Sequence, residues 1–102
     1  MGTGARQKPQ RLGEKLLQIR QALGLSQSEM VRHLGLEDII WDSKISHYEL
    51  GKREPTLLIL LNYARAGGVH MEALVDDKLD LPDKIPGKVR RGEIERLYSK
   101  KQ

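Results

Sequence analysis

The segment from Asp42 to Pro55, DSKISHYELGKREP, concentrates side chains that form directional hydrogen bonds or attract anions. Two serines and a histidine come first, and a Lys-Arg pair follows Gly51. Hydroxyl and imidazole groups donate and accept hydrogen bonds, whereas lysine and arginine only donate and carry a positive charge. This combination is suited to recognising a polar, anionic partner.

The three histidines, His33, His47 and His70, form no catalytic or metal-binding pattern. Their spacing differs from that of zinc ligands, and no glycine-rich phosphate loop or pairing of a nucleophile with a base is recognisable. The sequence has no cysteine, which excludes disulfides, thiolate metal sites and cysteine nucleophiles. We therefore expect neither an enzyme nor a bound cofactor or metal.

Apolar residues at helical spacing predict the helices that hold this segment in place. A first amphipathic helix begins near Arg11 and ends at Gly24. Ser26 and Glu29 have the spacing of a capping box, so a short second helix is expected to start at Gln27. The residues expected to face inward are Leu12, Leu16, Ile19, Leu23, Met30, Val31 and Leu34.

A third helix is predicted within the polar segment itself. Asp42 or Ser43 is expected to cap it, and Gly51 is expected to end it. The residues expected to face inward are Ile45, Tyr48 and Leu50. The serines, the lysine and the histidine of this helix are therefore expected to face outward.

A fourth and a fifth short helix complete a predicted all-α fold. Thr56 is expected to cap the fourth helix, and His70 is expected near the start of the fifth. The apolar residues at helical spacing are Leu57, Leu60, Leu61 and Ala64, followed by Val69, Ala73 and Leu74. With 4% aromatic residues and no Phe, the core must be mainly aliphatic, which suits packed helices.

The length and the patterning predict one folded domain at residues 11–75, between a disordered tail at 1–10 and a C-terminal arm at 76–102. Prolines and sparse apolar residues disfavour a long helix in the arm, where only a short helix at 90–100 is expected.

Both ends of the chain are basic, whereas its centre is acidic. Residues 1–20 carry five Lys or Arg against one acid, and residues 84–102 carry seven against two. Residues 21–83 carry six against eleven. We interpret the N-terminal tail as a solubilising segment.

Two short helices joined by a turn and flanked by supporting helices form the unit that inserts its second helix into the major groove of DNA. That groove is about 12 Å wide and admits one helix with polar exposed side chains. The predicted third helix has this chemistry. The pattern therefore indicates a helix-turn-helix domain in which the third helix is the recognition helix.

Three stretches resemble the lambda-repressor-like Cro/repressor (XRE-type) family of helix-turn-helix transcriptional regulators. They are GLSQSEMVRHLG at 24–35, ISHYELGKREP at 45–55 and LLILLNYARAGGVHMEAL at 57–74. They occur in the family's order and nearly at its spacing. The resemblance implies a five-helix fold with an irregular basic C-terminal tail, and a sequence-specific DNA-binding regulator, most simply a repressor.

The resemblance also assigns roles to residues that contact DNA. Gln27 matches a glutamine that touches a backbone phosphate beside the recognition helix. Ser43, Ser46 and His47 match positions that face the groove, and we rank His47 first for reading a base. The residues placed for phosphates are Lys44, Lys52 and Arg53.

Arg20 and Glu49 match an arginine and a glutamate that form an ion pair in relatives. The resemblance implies that this pair fixes the recognition helix against the first helix and does not itself contact DNA.

The sequence departs from the family before the third helix. Gly35 and Ile45 are ten positions apart, which leaves about four more residues than relatives have. The inserted residues lie within LEDIIWD, a stretch rich in large apolar side chains. We expect a longer loop or an extra helical turn in which Ile39, Ile40 or Trp41 covers the edge of the core; a surface for a partner is the alternative.

The expected partner is double-stranded DNA with a pseudo-palindromic operator, bound by a homodimer. The alternative function is an antitoxin-like or other protein-binding module with the same fold, whose tail from Asp76 binds a partner protein. The longest apolar runs are too short to span a bilayer, so no membrane association is expected. A reducing cytoplasm is the expected location.

Overall fold

The computed structural model describes residues 7–87, and within this range it contains five α-helices. They are α1 (Leu12–Leu23), α2 (Gln27–His33), α3 (Asp42–Glu49), α4 (Leu57–Gly67) and α5 (Met71–Val75). Residues 7–87 contain no strand, and the predicted all-α fold is confirmed. The helix predicted at 90–100 and most of the predicted N-terminal tail lie outside the described residues.

Short polar side chains and a glycine set several helix boundaries. The predicted capping box is confirmed, because Ser26 Oγ accepts from Glu29 N at 3.0 Å while Glu29 Oε1 accepts from Ser26 N at 2.8 Å. These hydrogen bonds hold the pKa of the Glu29 carboxyl below its ordinary value. Thr56 Oγ1 accepts from Ile59 N at 3.3 Å at the start of α4. Gly24 ends α1 at φ 71°, a left-handed conformation that favours glycine.

The core is a single cluster of mostly aliphatic side chains around the buried Tyr63. Of the residues predicted to face inward, the buried ones are Leu12, Leu16, Ile19, Met30, Val31, Leu34, Ile45, Tyr48, Leu60, Ala64 and Leu74. The prediction is wrong for Leu50 and Leu57, which are 65% and 75% exposed. Leu50 lies past the last turn of α3 as its C-cap, and Leu57 starts α4 outside the face that carries Ile59 and Leu60.

Lys15, in α1, is a buried charge. Its side chain is within the core, where Nζ donates to Ala73 O at 2.7 Å and to Asp76 O at 2.9 Å. A cation is favourable at a helix C-terminus, where carbonyl groups lack helical partners. Lys15 therefore joins α1 to the end of α5.

The inserted residues before α3 form a compact turn instead of an open loop. Ile39 N and Ile40 N both donate to Leu36 O, at 2.9 and 3.0 Å. Leu36 and Ile40 are buried at the two ends of this turn, whereas Ile39 and Trp41 are 69% and 83% exposed. Of the three residues expected at the edge of the core, only Ile40 covers it.

The segment that follows α5 packs back onto the helices. Leu81 is buried, and Gly87 N donates to Gly67 O at the end of α4 over 3.0 Å. Asp77 accepts hydrogen bonds from the backbone N–H groups of Gln10 and Arg11. Residues 76–87 thus contact the start of α1 and the end of α4.

In the described part of the chain, no helix combines the length and the apolar composition that crossing a membrane requires.

Candidate nucleic-acid interface

The C-terminal end of α3 is held by a largely buried ion pair. Arg20 Nε lies 2.6 Å from Glu49 Oε2 and Arg20 Nη2 lies 3.0 Å from Glu49 Oε1, so the contact is bidentate. The two side chains are 16% and 6% exposed. Arg20 Nη1 also donates to Leu25 O at 2.9 Å, and the hydrogen bonds with Glu49 raise the pKa of Arg20. One guanidinium thus ties α1, the turn before α2 and the end of α3 together.

Gln27 contributes to the same network from the first turn of α2. Its Nε2 donates to Glu49 Oε1 at 3.2 Å, and the side chain is half-buried. The Nε2 group carries a second hydrogen, which this contact does not use. Gln27 therefore lies beside α3 with its carboxamide oriented by Glu49.

Gly13 allows α1 to approach α3 closely. A Cβ atom at this position would lie 2.6 Å from Glu49 O and 2.9 Å from Tyr48 O, which are backbone atoms of the last turn of α3. Any other residue would push the two helices apart. Sequence analysis missed this role, because a glycine within a helical pattern does not reveal which helix packs on it.

The N-terminal end of α3 is tied to α2. Ser28 Oγ donates to Asp42 Oδ2 at 2.9 Å. Asp42 is the first residue of α3, where a negative charge is favourable, and Trp41 is the N-cap without a side-chain hydrogen bond. The prediction that Asp42 or Ser43 caps α3 is therefore wrong: the carboxylate binds the neighbouring helix instead of its own N–H groups.

The outward face of α3 carries three of the predicted contact residues. Ser43 is exposed, and Ser46 and His47 are half-exposed at the third and fourth positions after it. Residues at this spacing lie on the same face of a helix. Lys44 is also half-exposed, whereas Ile45 and Tyr48 face the core.

The turn after α3 positions the predicted cations Lys52 and Arg53. Both side chains are exposed, and both backbone N–H groups donate to His47 O, at 2.9 and 3.3 Å. Gly51 makes this turn possible with φ 76°. The two cations therefore follow α3 at a fixed place.

A groove of about 730 Å³ continues from the C-terminal end of α3. One chain segment lining it is 8–10, ahead of α1, and another is the turn at 51–54. Lys8, Lys52 and Arg53 are its basic lining residues, and Glu54 is the acidic one. Sequence analysis had assigned no contact to Lys8.

In the described residues, no group of three or more histidine or acidic side chains is arranged to hold a metal ion. The residues of α3 and of the turn after it offer hydrogen-bonding groups and cations on one side of a rigidly held helix. Such a surface is suited to binding a nucleic acid.

Comparison with known proteins agrees with this geometry. Residues 13–78, more than half of the chain, match the family model described as a helix-turn-helix domain. No curated protein and no solved structure matches the chain. The matched range includes all of α2 and α3 and the turn between them. The chain therefore belongs to the helix-turn-helix domain family, in agreement with the XRE type that its three motifs indicate.

Proposed function

We propose that this protein is a sequence-specific transcriptional regulator, acting as a repressor, that inserts α3 into the major groove of its operator. The observation that carries the proposal is the fixation of α3 at both ends, by Glu49 and by Asp42, while Ser43, Ser46 and His47 share its outward face. A preorganised helix loses little freedom on binding, so its hydrogen bonds contribute fully to discrimination between sequences.

The side chains divide into two groups by the part of DNA that they contact. His47 reads a purine edge, and Ser43 and Ser46 contact neighbouring base edges. The residues that bind phosphates are Gln27, Lys44, Lys52 and Arg53. The phosphate contacts set affinity and position, and the base contacts set the sequence.

Two copies of the chain bind one pseudo-palindromic operator, each with α3 in one half-site. A twofold dimer places its recognition helices about one turn of DNA apart, roughly 34 Å. Exposed apolar side chains support contact between copies, and they include Ile39, Leu57 and Leu58. The helix-turn-helix domain supports a regulatory role, which the protein performs in the cytoplasm.

The alternative is an antitoxin-like module that binds a partner protein with the same fold. The exposed Trp41 favours it, because tryptophan is enriched where protein surfaces meet. The tail proposed for that contact extends beyond the described residues. Co-purification of a second protein, combined with no preference among DNA sequences, would support this alternative over the regulator.

Selection of bound duplexes from a random pool tests the regulator directly. We expect one enriched motif with two inverted half-sites about 10 bp apart. With that motif in hand, His47→Ala should reduce the ratio of operator affinity to random-DNA affinity by roughly tenfold, the value of one base contact. Lys52→Ala should weaken binding to both duplexes alike. An unchanged ratio for His47→Ala would remove His47 from the base contacts.

A further inference from the structure

The groove beside the C-terminal end of α3 is lined partly by residues to which no contact has been assigned. Its lining joins two chain segments that are remote in sequence, residues 8–10 and the turn at 51–54. The turn carries Lys52 and Arg53, and the N-terminal segment carries the exposed Lys8. Three of the lining residues are cations and one, Glu54, is acidic, so an anion is the complementary ligand.

The N-terminal segment is anchored where it meets α1. Gln10 N donates to Asp77 Oδ2 at 2.8 Å, and Arg11 N donates to Asp77 Oδ1 at 3.0 Å. Arg11 Nη1 donates to Asp77 O at 2.9 Å, and Arg11 Nη2 lies 2.6 Å from Asp80 Oδ1. These contacts fix the chain two residues after Lys8. A cation on an anchored backbone loses less conformational entropy on binding than one on a free tail.

The groove is continuous with the recognition helix, since Tyr48 of α3 and Leu50 at its end also line it. DNA bound to α3 would therefore present its backbone to this side of the molecule. Duplex DNA carries one negative charge per ~1.7 Å of its axis, so a strand that contacts Lys52 offers further phosphates close by.

We propose that Lys8 is a phosphate-binding residue, and that residues 8–10 extend the DNA interface along the groove shared with Lys52 and Arg53. This inference rests on the proposed DNA-binding function. It replaces the solubilising role that sequence analysis gave to the N-terminal tail, as far as the described residues 7–10 are concerned. Asp77 acts as a positioning residue that does not touch the DNA.

The first test measures the affinity of the full chain for a random-sequence duplex as a function of salt concentration. Lys8→Gln should reduce the slope of log affinity against log salt by about 0.9, and the affinity itself by roughly three- to tenfold. Lys84→Gln is the matched control. Lys84 is exposed and lies three residues before Gly87, which is next to Leu23 at the opposite end of α1. This control should leave the slope near that of the unsubstituted chain.

The second test asks whether Asp77→Ala raises or lowers the affinity of the chain for DNA. Removal of an acidic group from any surface should strengthen DNA binding, because long-range repulsion between that group and the phosphates is lost. If Asp77 anchors the N-terminal segment, Asp77→Ala should instead weaken binding, because Lys8 is no longer held at the groove. Asp83→Ala makes the same charge change at an exposed position of residues 76–87. Its affinity for DNA should equal or exceed that of the unsubstituted chain.

The outcomes separate this inference from the function on which it rests. Equal slopes for Lys8→Gln and Lys84→Gln, with DNA binding intact, would overturn the contact by Lys8 and leave the proposed function standing. Tighter binding by both alanine variants would overturn the anchoring role of Asp77. A chain that binds no DNA at all would overturn the inference and the proposed function together.

Discussion

At the level of single residues, the contacts of Glu49 decide how the last turn of α3 is oriented. Its carboxylate is 6% exposed and receives three N–H donors, two from Arg20 and one from Gln27. Such a pair contributes little net stability, because both charges lose their hydration. Removal of one partner would leave a buried charge at a cost of about 3 kcal/mol. The pair therefore specifies geometry more than it adds stability.

Tyr63 is a core residue whose substitution by Phe should not lower stability, unlike most core substitutions. Its side chain is fully buried, its Oη has no hydrogen-bond partner among the described residues, and burial raises the pKa of the hydroxyl well above its ordinary value. An unsatisfied buried hydroxyl costs about 1–3 kcal/mol. Tyr63→Phe should therefore leave the free energy of unfolding unchanged or raise it, as measured by urea denaturation. A loss of stability would show that the hydroxyl has a partner after all.

At the level of elements, the fixed distance between α1 and α3 depends on Gly13. Alanine is preferred to glycine in a helix by about 1 kcal/mol. At Gly13, however, the added Cβ would be within 3 Å of two backbone oxygens of α3. Backbone atoms cannot move aside as a flexible side chain can, so we expect the steric effect to exceed the gain in helix propensity.

We therefore expect Gly13→Ala to lower the free energy of unfolding by about 1–3 kcal/mol and to weaken operator binding, because α3 shifts. Gly67→Ala is the control, since the three atoms nearest its Cβ would be side-chain atoms of Ile19, at 3.2 to 3.3 Å. Thermal unfolding and DNA titration of both variants measure the difference. A Gly13→Ala protein as stable as the unsubstituted chain would disprove the close-packing role.

The first three helices show how far the sequence predicts the fold and where the prediction ends. Local signals such as the capping box at Ser26 and the helical spacing of Leu12, Leu16 and Ile19 predicted the helices, because neighbours in the chain determine them. The start of α3 was mispredicted, because Asp42 binds Ser28 of another helix. Contacts between elements have no sequence spacing to reveal them.

At the level of the whole molecule, the N-terminal segment and the segment after α5 stabilise each other. The hydrogen bonds from Gln10 N and Arg11 N lower the pKa of the Asp77 carboxyl. A carboxyl with a lowered pKa in the folded state stabilises the fold above its unfolded pKa, and this contribution disappears as the pH falls through the folded pKa. Sequence analysis missed this link, because the residues are 66 and 67 positions apart.

The pH dependence of stability tests this link. We expect the thermal midpoint of the unsubstituted chain to fall between about pH 5 and pH 2 more steeply than that of Asp77→Ala. The two curves should converge at the acid end, where Asp77 is protonated. Asp83→Ala should keep the steep slope. Parallel curves for Asp77→Ala and the unsubstituted chain would mean that Asp77 does not contribute to the pH dependence of stability.

Methylation interference on the selected operator measures whether α3 occupies the major groove. Methylation of guanine N7 blocks the major groove, whereas methylation of adenine N3 blocks the minor groove. We expect N7 methylation to abolish binding at two clusters of positions about 10 bp apart, and N3 methylation to have no effect there. His47→Ala should lose the interference at one position of each cluster. Interference by N3 methylation alone, or none at either groove, would contradict this placement of α3.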